Sequence, residues 1–579
     1  MATLSEMSDG SASAGESATP PANLLDQLEA TLGDDAMCGR AWQVPRNRSF
    51  GDLRLFGAPW PDGASHFANA LDRLASHPAI AALRLQEGEL RLNVADDWVA
   101  ETATQLERGE RRPLLTNDLL SGRSITVCFC DVNATKALHA GHLRNIALGV
   151  AVSGIATAAG ATVVRRSNVN DMGRSMGEAL AGYEMFGESP RLSWDEKGDH
   201  LIGECYSRYV EQMDDRPDSN LLDPTLQREA HQGDDRAEEL LRLLADGEPP
   251  IMDRWRRVRD LVIDGHSATL ARLGTTIDKP LFESDFVDTI DRVVSTGLNS
   301  GLFTKTDDGA TVFRTGRDDY PQLLLARPDG FPTQHLRYVA LWTETAPSLR
   351  GAISVEIMGD EWLALGVHGD RIMKALSPDI ETHPSRCLLH GMVTAAEGVI
   401  KSSDGSPLLI DALLDALVAA PRVRELAARH GSDVEDRFAA LLLLGYCLKQ
   451  PPQAPLPFDL ERVLDSRQNP TWDIAEAIAR SPDADGLTSP DPGNPEFRAL
   501  VLYSQLHRQF VAKAHAACDP TALYRHYRYL ARWYVGARRT PELQRVGHTI
   551  FVAGASALGL WPSRVSCPVF RGDGDLTPV

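Results

Sequence analysis

Ser124-Ile-Thr-Val-Cys-Phe-Cys130, followed by Asn133-Ala-Thr-Lys136-Ala-Leu-His139-Ala-Gly141-His142-Leu-Arg144, is the stretch on which the fold turns. Its first part is an apolar run of strand length and predicts a buried strand. From Gly141 the chain favours a helix, and Ala161–Arg165 predicts a second strand. Strand, helix and strand within about 40 residues make a βαβ unit. In a doubly wound sheet, ligands bind at the carboxyl ends of strands beside such turns. His139 and His142 stand at i and i+3 near a helix start. There they can donate hydrogen bonds to phosphate oxygens as charge develops, reinforced by the helix dipole. Gly141 removes a side chain where a nucleotide must approach. Two ordinary polar residues at a helix start would look the same. A zinc pair is a further use of such histidines, but no cysteine or carboxylate follows at a recognisable ligand spacing, so no metal ligand is assigned.

A second stretch adds to the first. Gly398-Val-Ile-Lys401-Ser402-Ser403-Asp-Gly405-Ser-Pro leads into a helical run, Leu408–Leu417. A Gly-bounded loop with a lysine and hydroxyls suits a triphosphate from which pyrophosphate must leave. Composition alone would make it a polar surface loop. Yet only eight of the 59 basic residues are lysines, and two of the eight, Lys136 and Lys401, fall in these two stretches.

Around this centre, 579 residues imply roughly three or four domains of about 150 residues each. The 43% hydrophobic and 24% charged content is that of a globular chain. A net charge of −21 argues against indiscriminate coating of nucleic acid or membrane, while leaving room for an RNA partner held by a local basic patch. Of eight cysteines only Cys128 and Cys130 lie close together, and no pair of CxxC motifs occurs. Free thiols in a reducing cytoplasm are expected. Ile146–Val164 carries no charge, but its Ala, Gly, Ser and Thr content suits a buried helix and strand better than a membrane span. We therefore expect a soluble protein without membrane contact.

The expected organisation is a disordered acidic tail (1–22), a small α+β module (23–115), an α/β domain with a parallel Rossmann-type sheet (116–410), and a helical domain (411–579). A helical insertion at about 178–275 interrupts the α/β domain, and strand signals vanish from about Asp411 onward. In the first module, Ala81–Leu85 and Leu90–Val94 flank Gln86-Glu87-Gly88, a hairpin signal.

With these motifs in place, the chain resembles a class I aminoacyl-tRNA synthetase, and specifically the arginyl-tRNA synthetase family. The family's Ser-Pro-Asn-x-Ala-Lys-Pro-x-His-x-Gly-His is similar to Asp131-Val132-Asn133-Ala134-Thr135-Lys136-Ala137-Leu138-His139-Ala140-Gly141-His142. Its His-Val-Asn-Asp-Trp-Gly resembles Asn168-Val169-Asn170-Asp171-Met172-Gly173, and its Lys-Met-Ser-Lys-Ser loop is matched loosely by Val399–Ser403. Phe458-Asp459-Leu-Glu-Arg-Val-Leu and Gln468-Asn469-Pro470 resemble a signature of the family's anticodon-binding domain. Residues 45–110 are similar to a shortened tRNA-corner-binding module. The resemblance implies ATP, accompanied by Mg2+, bound by His139, Gly141, His142, Lys401, Ser402 and Ser403. It also implies catalytic roles for His139, His142, Lys136 and Lys401, with Lys136 standing in for the loop's missing second lysine.

Departures from the pattern shape the expected substrate. In the family a Glu on the first strand, together with the Tyr and Asp of a Tyr-x-x-x-Asp segment, holds the guanidinium of arginine. These positions fall at Cys128, Gln334 and Tyr338, while the Gln that holds the substrate amino group falls at Trp362. With Asn133, these residues form the expected amino-acid site. A buried guanidinium without its carboxylate costs roughly 3–5 kcal/mol. The expectation is thus a neutral, leucine-sized pocket in a divergent paralogue. Such an enzyme would form an aminoacyl-adenylate and pass it to a small-molecule amine of antibiotic biosynthesis, or to tRNA. Asp360 or Glu361 sliding into the vacant role would restore the first alternative, a conventional arginine–tRNA ligase. A catalytically silent tRNA-binding regulatory protein is the second.

Residues 498–548 hold nine basic and two acidic residues. Arg525, Arg528 and Arg532 interleave with Tyr529 and other aromatics, a pattern suited to phosphates and unpaired bases, although Leu523, Tyr527, Leu530 and Tyr534 also make a core stripe. A cytoplasmic monomer is expected.

Overall fold

A computed structural model describes residues 23–45, 50–58, 65–110, 114, 119–187, 197–213, 236–318, 320–349, 352–377, 385–395, 398–399, 408–430, 434–480, 491–537, 540–561, 568–571 and 575–578. The chain divides into two compact units, one of residues 1–115 with 490–508, the other of residues 116–489 with 509–579. The expected tail, 1–22, lies outside the described residues.

The first unit opens with α1 (Leu24–Leu32), whose first turn is capped by Asn23, its side chain accepting from the Leu25 N–H at 2.9 Å. Helices α2 (Asp34–Met37), α3 (Ser65–Ala75) and α4 (Asp96–Glu107) accompany strands β1 (Arg40–Gln43), β2 (Leu53–Gly57), β3 (Ile80–Gln86) and β4 (Glu89–Val94), which form an antiparallel sheet in the order β1-β2-β4-β3. The expected hairpin is present. Glu87 (φ 55°) and Gly88 (φ 77°) both take left-handed backbone, which matches the twist of the strands they join. One part of this unit comes from far along the chain. Arg498, in the helix Pro495–Gln505, donates to Asp52 at 2.6 and 3.0 Å and to Asp96 at 2.7 Å. Residues 490–508 therefore pack with the first unit instead of the helical region where their position in the sequence placed them.

Among the described residues, the second unit is built on a parallel sheet of six strands. These are β5 (Ser124–Cys128), β6 (Val132–Asn133), β7 (Thr162–Asn170), β8 (Lys279–Phe282), β12 (Ile353–Gly359) and β13 (Ser385–His390). Their order is β13-β12-β5-β7-β6, with β8 also beside β7. Between β8 and β12, β9 (Phe303–Lys305), β10 (Thr311–Arg314) and β11 (Gln322–Ala326) make a small antiparallel sheet. The uncharged stretch forms α5 (Leu143–Ala158), apolar nearly all round because it lies buried, and then enters β7. Gly149 lets α5 approach the sheet, since a Cβ there would meet the Phe129 ring at 2.1 Å. Strand β7 runs five residues beyond the expected Arg165, to Asn170, and so carries Arg166 and Asn168 into the site.

Among the described residues, four helices follow as an insertion: α6 (Arg174–Phe186), α7 (Gly198–Met213), α8 (Arg236–Ala245) and α9 (Pro249–Arg272). They share a core of Met176, Leu180, Tyr206, Tyr209, Leu240 and Trp255 with Val169 of β7. Beyond α10 (Val287–Asn299) and β11 come α11 (Gln334–Thr345), α12 (Leu363–Leu376) and α13 (Ile410–Ala419), and helices dominate from there on. That last region is not strand-free. Leu456–Pro457 pairs in parallel with Val393–Ala395, and Pro568–Arg571 pairs with Asp575–Pro578. These pieces are too short to give a periodic signal. Among the described residues no helix is long and apolar enough to cross a membrane.

Candidate active site

At the carboxyl end of β5 the chain turns through β6 into a single 3-10 turn, Ala140–His142, and then α5. The two histidines hold this turn. Nδ1 of His139 accepts from the Gly141 N–H at 3.2 Å, and Nδ1 of His142 accepts from the His139 N–H at 3.2 Å. With both Nδ1 atoms accepting, each ring carries its proton on Nε2. Burial lowers the His139 pKa to about 3 and pushes His142 well below its ordinary value. Both are neutral Nε2–H donors at physiological pH, with ring centroids 4.0 Å apart. Such donors can face phosphate oxygens without changing charge.

The turn is tied to the end of the lysine-bearing loop. The Ala140 N–H donates to the Leu408 carbonyl at 2.8 Å and the Ile410 N–H to the Leu138 carbonyl at 3.0 Å. Lys401, Ser402 and Ser403 themselves lie outside the described residues. Lys136 is half-buried, its Nζ 5.9 Å from the centre of the Tyr206 ring, and its carbonyl accepts from His266 Nε2 at 2.8 Å.

The expected amino-acid site has a different character from the one anticipated. Cys128 and Tyr338 do come together, but around two carboxylates. Glu356, on β12, is the register partner of Cys128 on β5, so the two side chains share one face of the sheet. The Tyr338 hydroxyl donates to Glu356 at 2.9 Å. Asp131 accepts from the Asn168 N–H at 2.7 Å and from Asn168 Nδ2 at 3.0 Å, with the Cys128 thiol 3.5 Å away. Arg166 lies 3.9 Å from Glu356 and 4.4 Å over the Trp342 ring. Burial pushes the Glu356 carboxyl up to about 7 and raises the Cys128 thiol and the Tyr338 hydroxyl well above their usual ranges. Asp131 is exposed at the residue level, yet desolvation by the surrounding protein still raises its carboxyl. Asn145, from α5, fixes this geometry by accepting from the Cys130 N–H at 2.6 Å and donating to the Ile357 carbonyl at 2.7 Å.

Of the other expected residues, Asn133 sits in β6 paired with Asn170, Gln334 opens α11 one turn before Tyr338, and Trp362 is half-buried in the turn after β12. Asp360 and Glu361 are exposed. In the helix Thr521–Gly536, Tyr524, Tyr527 and Tyr534 are core, whereas Arg525, Tyr529 and Arg532 are exposed and Arg528 is half-buried.

Asp199, His200 and Asp411 cluster tightly enough to hold an ion. The chemistry does not fit one. The Asp411 carboxylate already accepts from Lys197 (2.6 Å), Thr269 (2.9 Å), His200 (3.1 Å) and Arg272 (3.2 Å). Although burial opposes it, hydrogen bonds from His200 and Lys197 hold this carboxyl far below the usual range. The cluster is an ion-pair hub joining α7 and α9 to the start of α13.

A family model described as tRNA synthetases class I (R), catalytic domain, matches residues 112–331, which contain the histidine turn, Asp131, Arg166 and Asn168. The chain carries a class I tRNA synthetase catalytic domain. It is a ligase of the class I aminoacyl-tRNA synthetase type, a family whose members use ATP. The synthetase domain and its neighbours are 26% identical over 546 residues to an arginine–tRNA ligase of Porphyromonas gingivalis, covering 87% of this chain and 89% of that one. An arginine–tRNA ligase of Amoebophilus asiaticus is 30% identical over 381 residues, 62% of this chain and 60% of the relative. In fold, the chain is similar to Thermus thermophilus arginyl-tRNA synthetase (TM-score 0.66, 20% identity, 94% of this chain and 100% of that one). It is also similar in fold to arginyl-tRNA synthetase from Plasmodium falciparum (TM-score 0.60, 13% identity, 93% and 96%).

These relatives overturn the expected leucine-like ligase of antibiotic biosynthesis, and the pocket supplies the physical reason. Aligning the family pattern column by column leaves Cys128 and Tyr338 without acid, but Glu356 and Asp131 return carboxylates to the same place. Neither Asp360 nor Glu361 does so. Glu356 carried no motif signal. Asp131 did, as an acid standing where the family pattern has serine. Arg166 and Asn145 also went unread, and Asn168 was read only as the start of a matching segment, because their roles depend on neighbours distant in sequence.

Proposed function

We propose that this chain is an arginine–tRNA ligase. The observation that carries the reading is the pair of carboxylates, Glu356 and Asp131, set around Tyr338 and Cys128 at the carboxyl ends of β5 and β12. Two acids against one resident arginine leave an excess of negative charge where a cationic side chain would lie. Similarity to arginine–tRNA ligases along most of the chain supports the same substrate.

In this reading the arginine carboxylate attacks the α-phosphate of ATP in line. A C–O–P bond forms, and the bond to pyrophosphate breaks. Nε2–H of His139 and of His142 donate to phosphate oxygens, while Lys136 and Lys401 add positive charge as the transition state spreads its own. Gly141 leaves room for the nucleotide. Ser402 and Ser403 offer hydroxyls to the leaving phosphates. Mg2+ bound to the ATP phosphates would offset their charge. A ribose hydroxyl of tRNA then attacks the adenylate carbonyl, and AMP leaves. Asn133 and Gln334 orient the substrate amino group and side chain, and Trp362 borders them.

The tRNA is held in part by Arg525, Arg528, Arg532 and Tyr529, with residues 23–115 contacting its corner and 411–579 its anticodon arm. The enzyme acts as a monomer in the cytoplasm. Amino-acid-dependent ATP–pyrophosphate exchange against all twenty amino acids, with and without tRNA, tests the proposal. Strict arginine dependence is expected, and exchange with a different amino acid alone would overturn it.

A further inference from the structure

Two consecutive arginines on β7 have opposite surroundings. Arg165 is half-buried and makes a two-pronged pair with Asp278, its Nε and Nη2 each donating at 3.0 Å. Arg166 points to the other face of the strand, is 2% exposed, and lies across Trp342. Its Nε and Nη2 have no hydrogen-bond partner, and neither has Oε1 of Glu356, 3.9 Å away. Oδ1 of the neighbouring Asn168 is likewise buried without a donor. A buried ion pair offsets its desolvation only when hydrogen bonds complete it. Toward Glu356 the Coulomb attraction is present and the hydrogen bond is not, the guanidinium's side-chain hydrogen bond going to Cys128 instead. Two buried acceptors, Glu356 Oε1 and Asn168 Oδ1, therefore stand ready for a donor that Arg166 does not supply.

We propose that Arg166 is a resident competitor that sets substrate affinity and selectivity in the amino-acid pocket. In the empty enzyme its guanidinium balances Glu356 from a distance. An incoming side-chain guanidinium donates to Glu356 Oε1 and Asn168 Oδ1, and Arg166 keeps its stacking on Trp342. This deepens, and rests on, the arginine reading above. A planar fork spreads its donors over two separate acceptors and its charge over three nitrogens, so it can lie beside Arg166, whereas the ammonium of lysine brings its whole charge and its three donors to a single point. The resident charge thus weakens binding of every cation but rejects lysine more strongly.

The test is Arg166→Met, which retains bulk against Trp342 and removes the charge. Three quantities are read at pH 8: the KM for arginine in ATP–pyrophosphate exchange with tRNA present, and the Kd for arginine and the Kd for lysine by calorimetry. Arginine should bind about tenfold more tightly to the variant, and the ratio of lysine to arginine Kd should fall. Unchanged or weaker arginine binding by a folded variant overturns the proposal. If Arg166→Met does not fold, Arg166→Gln is read by the same measurements. Absence of arginine-dependent exchange in the wild type would end the arginine–tRNA ligase reading. Calorimetry still decides the role of Arg166 in that case: tighter arginine binding by the variant sustains it, and equal binding overturns it.

Discussion

Glu356 offers a titration that can be followed directly. Burial holds its carboxyl at about 7, so in the empty pocket it is part-protonated at neutral pH. A guanidinium binds the ionised form. That form makes up about one tenth of the protein at pH 6 and about nine tenths at pH 8, which predicts a Kd for arginine about tenfold tighter at pH 8, or about 1.4 kcal/mol. Calorimetry between pH 6 and 8 measures this, and also counts the proton that leaves Glu356 on binding, about one per arginine at pH 6 and nearly none at pH 8. His139, at about 3, and His142, lower still, do not titrate in this window, so a slope in affinity is not theirs. Glu356→Gln should abolish the slope and weaken binding by about 2 kcal/mol or more. A Kd that is flat or rises with pH in the wild type would refute the assignment of Glu356 as the guanidinium partner.

Other outcomes follow from the same geometry. Without arginine, folding stability should fall as pH rises from 4.5 to about 7, because the folded state binds the Glu356 proton more tightly than the unfolded chain does. Buried Asp171, at about 6, acts in the same direction, and thermal melts across pH 4.5–7.5 check both. His139→Ala or His142→Ala should lower the activation rate by roughly 10²–10³, as loss of one preorganised donor does, with the fold retained by circular dichroism. Asp411→Asn leaves Lys197 and Arg272 without their shared carboxylate and should cost about 3–5 kcal/mol in urea unfolding, while EDTA leaves the wild-type melting temperature unchanged. Gly149→Ala forces a methyl into the Phe129 ring and should destabilise by about 1–3 kcal/mol by the same measurement.

The parts of this protein that were legible in its sequence are those with local causes. The β5–α5–β7 unit announces itself through an apolar run, a histidine turn and an uncharged helix, all within one short stretch. The hairpin at Glu87-Gly88 reads equally well, because its turn residues must adopt left-handed backbone. The pocket was misread for the opposite reason. Of its two acids, Asp131 stands inside the motif in place of the family's serine, but Glu356 lies on a strand far along the chain, brought beside Cys128 only by parallel pairing, and no spacing rule reports such a neighbour. The attachment of residues 490–508 to the first unit escaped for the same cause, since it depends on Arg498 meeting Asp52 and Asp96 across most of the sequence.

Because Cys128 and Glu356 are register partners on adjacent parallel strands, either position can deliver an acid to the same volume. The requirement is therefore a point in space, and two addresses in the chain can answer it. A reciprocal exchange, Cys128→Glu with Glu356→Cys, keeps composition, register and local charge while moving the carboxylate by one strand spacing. Chains that look unrelated at the specificity column can thus share a substrate, and a guanidinium site is better recognised by summing charge over neighbouring strands than by reading any single column.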